Sequence, residues 1–158
     1  MVGEQPGDQE DLAGLPFVGP AGKVLDEALA AAGIDRGDIY LTNAVKHFKW
    51  EARGKRRIHQ QPNLTEVRSC LPWLEAEVAL IKPKIVVCLG AIAAQALMGQ
   101  KFRVTRDRGQ FFETPWAPWL TATIHPSAVL RMPDDEKRRE AFDQLVADLA
   151  QVAERVKE

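Results

Sequence analysis

The sequence predicts an α/β fold in which a mainly parallel sheet lies between two layers of helices. Short apolar segments typical of strands alternate with longer segments whose apolar residues recur at helical spacing, and this alternation is typical of a parallel sheet covered on both faces. Ile85–Leu89 is apolar at every position, as expected for a buried central strand. No internal repeat or linker interrupts the pattern, so residues 1–158 are predicted to form a single domain.

Further strand candidates lie on both sides of this central segment. Val2-Gly3 resembles the end of a strand, and Ile39–Thr42 is rich in strand-forming residues and ends at Asn43. Phe111-Phe112 and Leu120–Ile124 are two more candidates. Because ligands of parallel sheets bind at the carboxyl ends of the strands, residues that follow these segments are expected to share one functional edge.

The helices are marked by residues at their ends. Pro20 suits the first position of a helix that Gly33 ends. Asn63 begins a capping-box sequence at the start of a long helix, and Asp134 is expected to cap the last one. A shorter helix is predicted to open at Gly90, and residues 4–19 are predicted to form a glycine- and proline-rich loop.

Residues 46–62 are predicted to form a long polar loop, and a loop of this length favours function over simple connection. Residues 46–57 include six basic residues and one acidic residue, a formal charge of +5, although the whole chain carries only −1. Such a concentration of positive charge favours contact with phosphate groups. A solvated surface loop is the alternative that the charge pattern leaves open.

Composition narrows the class of protein. The chain has 158 residues, 46% of them hydrophobic, which suits one globular domain. No apolar run reaches membrane-span length and no signal peptide is evident, so a cytoplasmic location, in a bacterial cytosol or nucleoid, and no membrane partner are expected. A disulfide between Cys70 and Cys88 is not expected there, and the apolar surroundings of Cys88 predict a buried, inert thiol.

Two short motifs carry the candidate chemistry. The first is GEQPGDQE at residues 3–10, and the second is His125-Pro126-Ser127. In this order, with Phe17 and Asn43 between them, they resemble the active-site motifs of the uracil-DNA glycosylase superfamily, in particular its family 4. The sequence KRRIH at residues 55–59 resembles UdgX, a branch of the superfamily that ends its reaction covalently attached to DNA.

The resemblance implies a three-layer α/β/α fold with a four-stranded sheet whose first strand is truncated in this chain. It also implies a DNA repair activity that cleaves the N-glycosidic bond of uracil. Because positive charge builds on the sugar as the base departs, such a site needs a negative group near the sugar and donors near the base, and the nucleotide must be flipped out of the helix. The expected partner is uracil-containing DNA, single-stranded rather than duplex, and the protein is expected to be a monomer.

The first motif and the residues after it are implied to hold the sugar and the base. Glu4 is the expected catalytic carboxylate, and Gly3 and Asp8 are expected to contact uracil. Phe17 is expected to stack on the base, although a lone phenylalanine is more often part of a core. Asn43 offers an amide donor and acceptor to the edge of uracil, although an asparagine after a strand is also a common turn residue.

The second motif is implied to act on the departing base. His125 is expected to donate a hydrogen bond to uracil O2, which requires a neutral imidazole with a fixed tautomer; a buried structural histidine is the alternative. Ser127 and Arg131 are expected to contact phosphate. Val129 and Leu130 are expected to help fill the gap left by the flipped base.

His59 is the candidate nucleophile that the resemblance to UdgX implies. Its imidazole lone pair could attack C1′ of the sugar before water does, which would leave the protein attached to DNA. Gln5, which UdgX shares, could hold a water, orient another side chain or exclude the hydrolytic water, and it is included among the catalytic candidates. Lys55, Arg56 and Arg57 are expected to bind DNA. An ordinary turnover glycosylase in which His59 binds phosphate, and a non-catalytic uracil-DNA binding module, are the alternatives.

The resemblance also implies a 4Fe–4S cluster held by four cysteines. Cys70 and Cys88 lie where the second cysteine pair of the family falls, and they are the expected partial ligand set. The first pair lies before the first motif in the family and has no counterpart in this sequence. We therefore expect that an N-terminal segment is missing and that two of the four ligands of the cluster are absent. A shortened first strand would also leave unpaired sheet edges.

Overall fold

The computed structural model describes residues 1–158 and has a four-stranded parallel sheet at its centre. Its strands are ordered β2-β1-β5-β6, and each neighbouring pair runs parallel. A separate antiparallel hairpin is formed by β3 and β4. The six strands are β1 (Val2–Gly3), β2 (Thr42–Asn43), β3 (Trp50–Arg53), β4 (Arg56–His59), β5 (Ile85–Leu89) and β6 (Trp119–Thr123).

Seven α-helices accompany the sheet, and the helix starts follow the sequence signals. The Asn63 side chain accepts from the Glu66 N–H at 2.9 Å while the Glu66 carboxylate accepts from the Asn63 N–H at 2.7 Å, which completes the predicted capping box. Asp134 accepts from the Lys137 N–H at 2.8 Å, as predicted. The helices are α1 (Asp8–Ala13), α2 (Pro20–Ala31), α3 (Leu64–Ile81), α4 (Ala91–Met98), α5 (Val104–Asp107), α6 (Pro126–Leu130) and α7 (Asp135–Lys157).

The core lies in two apolar layers, one on each face of the sheet. Successive residues of β5 point to opposite faces, so Val87 and Leu89 belong to a cluster with α2, α6 and α7. Val86 and Cys88 belong to the other cluster, with α3 and α4. Helices therefore cover both faces, and the predicted three-layer α/β/α fold with a parallel four-stranded sheet is confirmed.

The prediction of a long polar loop over residues 46–62 is wrong, because most of this segment forms the β3–β4 hairpin. Trp50 pairs with His59 and Arg53 with Arg56. The two-residue turn begins at Gly54, whose φ of 60° suits a tight hairpin turn. The strands have no fully buried face, so they lack the alternation of apolar and polar residues by which a half-buried strand is recognised.

Two smaller predictions also fail. The first loop contains α1, a short helix that buries none of its residues and so has no apolar face for the sequence to reveal. Phe111-Phe112 is not a strand: Phe112 forms only an isolated antiparallel bridge with Leu120.

A cavity of about 470 Å³ lies at the amino edge of the sheet, between the starts of β2 and β5 and the end of α7. None of the predicted catalytic residues lines it. The candidate chemistry lies at the opposite edge. No helix has the length and apolar character needed to cross a membrane.

Candidate active site

Four strand ends meet at the carboxyl edge of the sheet and carry the candidate residues. Glu4 follows β1, Asn43 ends β2, Gly90 follows β5, and His125 lies two residues beyond β6. Gly90 N–H donates to the Thr123 carbonyl at 2.9 Å, which joins the ends of β5 and β6. The parallel topology thus brings together residues that are up to 121 positions apart in the sequence.

Gly3 allows two pocket residues to approach the backbone of β1 closely. A Cβ atom at this position would lie 2.5 Å from Asn43 Oδ1 and 2.6 Å from Phe17 Cζ, so no larger residue fits without displacing them. The structure therefore places Gly3 directly beside Phe17 and Asn43. Its predicted uracil contact stays a prediction.

Phe17 is held in an unusual backbone conformation. Its φ of 52° lies in the left-handed region, which costs about 1–3 kcal/mol for a non-glycine residue. Gly22 of α2 lies directly beneath it, because a Cβ there would be 1.9 Å from the Phe17 carbonyl oxygen. The residue is only 5% exposed and packs with the core cluster on the α2 side, so it is both a core residue and a pocket wall.

Asn43 has a buried acceptor that no protein group satisfies. Its Oδ1 atom is inaccessible to solvent and has no hydrogen-bond partner. Because buried polar atoms are rarely left unpaired, such an exception calls for a functional explanation. Because the atom is closed to solvent, a ligand with an N–H donor would pair with it only after the side chain turned.

His125 is a neutral imidazole whose orientation is fixed. Its Nδ1 accepts a hydrogen bond from the Ser127 backbone N–H at 3.0 Å, so the ring proton of the neutral form is on Nε2. Burial, with smaller effects of Arg131 and His59, lowers its pKa to about 4. The ring stacks on Phe17 with centroids 5.8 Å apart, and Gly90 leaves room for its Cβ. The site thus has a hydrogen-bond donor of known tautomer at neutral pH.

Glu4 and His59 face each other. Glu4 Oε1 lies 3.1 Å from His59 Nε2, a distance suited to an ion pair, although the ring N–H is not aligned for a hydrogen bond. Burial raises the pKa of Glu4, and the nearby His59 and Arg131 oppose part of this rise. The His59 side chain is 52% exposed and that of Glu4 is 23% exposed, so the histidine lies on the open side of the pair.

Gln5 ties the base of the hairpin to the end of β1. Its Nε2 donates to the Gln60 carbonyl at 2.9 Å and more weakly to the Lys49 carbonyl at 3.4 Å. Its Oε1 accepts from the Lys49 N–H at 3.1 Å. Lys49 and Gln60 flank the two hairpin strands and bond to each other at 2.9 Å. Of the roles considered for Gln5, these contacts favour the orientation of another side chain. That side chain is His59, because Gln5 bonds to the carbonyl of the next residue, Gln60.

Arg57 attaches the hairpin to α1. Its Nε donates to Asp8 at 2.6 Å and its Nη1 donates to Asp11 at 2.7 Å, both on α1. The guanidinium also lies 5.2 Å from the centroid of the Phe48 ring and 5.5 Å from that of Trp50. The structure thus engages both Arg57 and Asp8 in a protein contact. Their predicted contacts with DNA and with uracil stay predictions.

Other basic residues of the hairpin are free of protein partners. Arg53, Lys55 and Arg56 are exposed at or beside the turn and form no ion pair or side-chain hydrogen bond. Arg131, which follows α6, donates to the Ser127 hydroxyl at 3.0 Å. The predicted phosphate contacts of these residues stay predictions.

Val129 and Leu130, which were expected to fill the gap left by the flipped base, differ in exposure. Leu130 is 44% exposed and can reach a ligand, whereas Val129 is 6% exposed and packs in the core with α2 and α7. The expectation for Val129 is therefore wrong, because a short helix presents neighbouring residues to different sides.

The two cysteines lie in different apolar clusters. Cys70 packs with Val45 and Val67 and accepts from the Lys46 N–H at 3.5 Å, whereas Cys88 lies in a different apolar cluster within the sheet. Burial raises the pKa of Cys88 to about 12, which keeps it a neutral thiol as predicted. No group of three or more histidine, cysteine or carboxylate side chains is placed to hold a metal ion. Two cysteines supply half of the four ligands that a 4Fe–4S cluster takes, and their predicted role as a partial ligand set stays a prediction.

Several site residues carry no signal in the sequence. Phe48 lies beneath Arg57 and beside His59, with its ring centroid 6.4 Å from that of the histidine. Gly22 and Gly90 give Phe17 and His125 their space. Only the hairpin register and the close approach of distant backbones reveal these roles.

Comparisons with known proteins agree with this geometry. Residues 1–150 match the family described as the uracil DNA glycosylase superfamily. A type-4 uracil-DNA glycosylase of Pyrobaculum aerophilum is 41% identical over 140 residues, which cover 84% of this chain and 68% of the relative. One of Archaeoglobus fulgidus is 35% identical over 156 residues, covering 94% and 75%. One of Thermotoga maritima is 37% identical over 140 residues, covering 88% and 69%.

Proposed function

Because the chain belongs to the uracil-DNA glycosylase superfamily, we propose that it excises uracil from DNA and retains the abasic sugar on His59. The observation that carries the proposal is the facing pair of Glu4 and His59 at 3.1 Å, beside a neutral His125 whose proton is on Nε2. One carboxylate, one donor and one nucleophile are thereby available at a single pocket.

Recognition of uracil rests on Asn43. The N3–H and O4 of uracil match the acceptor and the donor of this amide, which binds them once the side chain turns its buried Oδ1 toward the base. Cytosine presents an acceptor at N3 and a donor at C4, so it would leave both groups of the amide mismatched. Phe17 would cover the face of the base, and its contact with His125 sets the two rings in fixed relation.

Cleavage breaks the bond between C1′ and N1 of uracil, and its electron pair leaves with the base. His125 Nε2–H donates to O2, where negative charge collects on the departing uracil. The ionised carboxylate of Glu4 stabilises the positive charge on the sugar. The released uracil anion takes a proton from solvent.

Capture forms a bond between His59 and C1′. In the His59 tautomer whose proton is on Nδ1, the Nε2 lone pair attacks the sugar cation, and the resulting imidazolium loses its Nδ1 proton to water. A fixed imidazole has an effective concentration far above that of a loosely held water molecule, and Gln5 and Arg57 fix the hairpin that carries it. The product is a stable carbon–nitrogen bond, and each protein molecule reacts once.

Ordinary turnover is the second candidate, and the type-4 names of the relatives favour it equally. In that mechanism water attacks the sugar, and His59 contacts phosphate or supports Glu4. The same pocket serves both mechanisms, which differ only in the nucleophile.

The test is incubation with a single-stranded oligonucleotide that contains one uracil, followed by measurement of free uracil and a denaturing gel. Free uracil with an equimolar, denaturation-resistant protein–DNA band supports the proposal. Free uracil in excess of protein with no such band establishes turnover. Binding without free uracil would mean a binding module that lacks the chemistry. A thymine oligonucleotide is the matched control and is expected to yield neither product.

A further inference from the structure

Trp50 lies directly across the hairpin from the proposed nucleophile. Trp50 and His59 are partners in the antiparallel register, so their side chains point to the same face of the hairpin. Directly opposite residues have Cβ atoms about 4.5–5.5 Å apart. Any strand of DNA that brings its C1′ to His59 therefore passes within reach of the indole of Trp50.

Trp50 is exposed and yet firmly held. It is 45% exposed, so part of its ring is accessible to a ligand. The Arg57 guanidinium lies 5.5 Å from the centroid of its ring and is itself bonded to Asp8 and Asp11. A rigid, accessible aromatic surface next to a reaction centre loses little conformational entropy when it binds a planar group.

Positive charge lies on the same element. Lys55 is exposed at the hairpin turn, and Arg53 and Arg56 beside it are exposed on the face opposite to that of Trp50 and His59; none of the three has a protein partner. Their charge at the end of the hairpin would attract the phosphates of a strand that approaches it. A positive track with an exposed aromatic residue is the general arrangement by which proteins hold single-stranded nucleic acid.

We propose that Trp50 stacks on the nucleobase next to the flipped uracil nucleotide and so positions the sugar for attack by His59. The inference rests on the proposed function and extends it to a DNA contact outside the uracil pocket. A nucleobase beside a flipped nucleotide has lost one stacking neighbour, and the indole replaces it. Stacking does not depend on base identity, so Trp50 would favour unpaired or easily opened DNA of any sequence.

The test measures binding to a single strand whose uracil nucleotide carries a 2′-fluorine, which disfavours the sugar cation and prevents cleavage. Because stacking on one base contributes about 1–3 kcal/mol, Trp50→Ala should weaken binding about 5- to 150-fold, and Trp50→Phe should recover most of this loss. Trp73→Ala is the matched control: that tryptophan is 68% exposed on α3, and its loss should leave binding unchanged.

A second comparison removes the partner instead of the protein side chain. Strands that lack the base on the 5′ or the 3′ side of uracil should bind the unaltered protein more weakly for one of the two sides. The same strand should cause Trp50→Ala no further loss. Equal losses in both proteins, or binding by Trp50→Ala as tight as by the unaltered protein, would overturn the proposal.

Fluorescence keeps the inference testable if Trp50→Ala does not fold. Stacking should quench part of the tryptophan emission on addition of DNA, and Trp50→Phe should lose that part. Quenching that persists in full in Trp50→Phe counts against the proposal. Failure of the proposed function has a different readout, the absence of free uracil from unfluorinated DNA.

Discussion

Gln5→Ala should separate capture of the sugar from cleavage of the glycosidic bond. Gln5 is 7% exposed and makes two well-formed hydrogen bonds to the base of the hairpin, with the Gln60 carbonyl and the Lys49 N–H. At about 0.5–1.5 kcal/mol each, these bonds stabilise the docked hairpin by about 1–3 kcal/mol. Since 1.4 kcal/mol corresponds to a factor of about ten, loss of these bonds should lower the ratio of molecules with the hairpin packed against Gln5 to molecules with the hairpin detached about 5- to 150-fold.

The assay is a single-turnover reaction in which free uracil and covalent adduct are both measured. Uracil release depends on Glu4, Asn43 and His125, so its yield should persist in Gln5→Ala. The adduct should form a smaller fraction of the product, and free abasic DNA should replace it. Gln9→Ala is the control, because Gln9 is an exposed glutamine of α1 without side-chain hydrogen bonds. An unchanged adduct fraction in folded Gln5→Ala would refute the role given to the hydrogen bonds between Gln5 and the hairpin.

Three further outcomes are expected. His59→Ala should release uracil and leave free abasic DNA without the denaturation-resistant band. His125→Ala should instead reduce uracil release and adduct together. An adduct formed by His59→Ala would show that another residue is the nucleophile. Single-turnover uracil release should decline as pH falls through the raised pKa of Glu4, at a pH above the usual carboxyl range, because protonation removes the charge that stabilises the sugar cation. A loss of activity that begins only near pH 4, the pKa of His125, would show that the imidazole and not Glu4 sets the decline at low pH. Elemental analysis of the purified 158-residue chain should find fewer than four irons, because Cys70 and Cys88 supply only half of a four-cysteine ligand set; four irons per chain would contradict this and require other ligands.

Sequence patterns predict the parts of the fold that have a distinct apolar face or a specific cap. The β5 strand is uniformly apolar because both of its faces are buried, and α3 begins at Asn63 because a capping box satisfies its first backbone donors. Helix α1 and the hairpin lack both signals. They are held by contacts with distant residues, such as those of Arg57 with Asp8, which no local pattern can reveal.

The candidate site likewise has some features that sequence patterns predict and others that they do not. Topology alone brings Asn43 and His125 to one edge, because carboxyl ends of parallel strands converge there. The tautomer of His125 depends on its bond to the Ser127 N–H, and the role of Gln5 depends on backbone groups more than 40 residues away. These features follow from the folded arrangement and not from residue type.

The two proposed chemical steps belong to parts of the molecule with different mechanical support. Glu4, Asn43 and His125 stand at the ends of sheet strands, so the core that stabilises the protein also fixes the geometry of bond cleavage. His59 stands on a two-stranded hairpin, and such a hairpin is marginally stable without outside contacts. The contacts made by Gln5 and Arg57 provide that support from the loop and helix that follow β1. Because the capture residue is attached to the cleavage site through a few polar contacts, its position can change at little cost to the core. Under the proposed mechanism, the choice between a covalent product and turnover therefore depends on how firmly the hairpin is docked, while recognition of the base depends on the sheet.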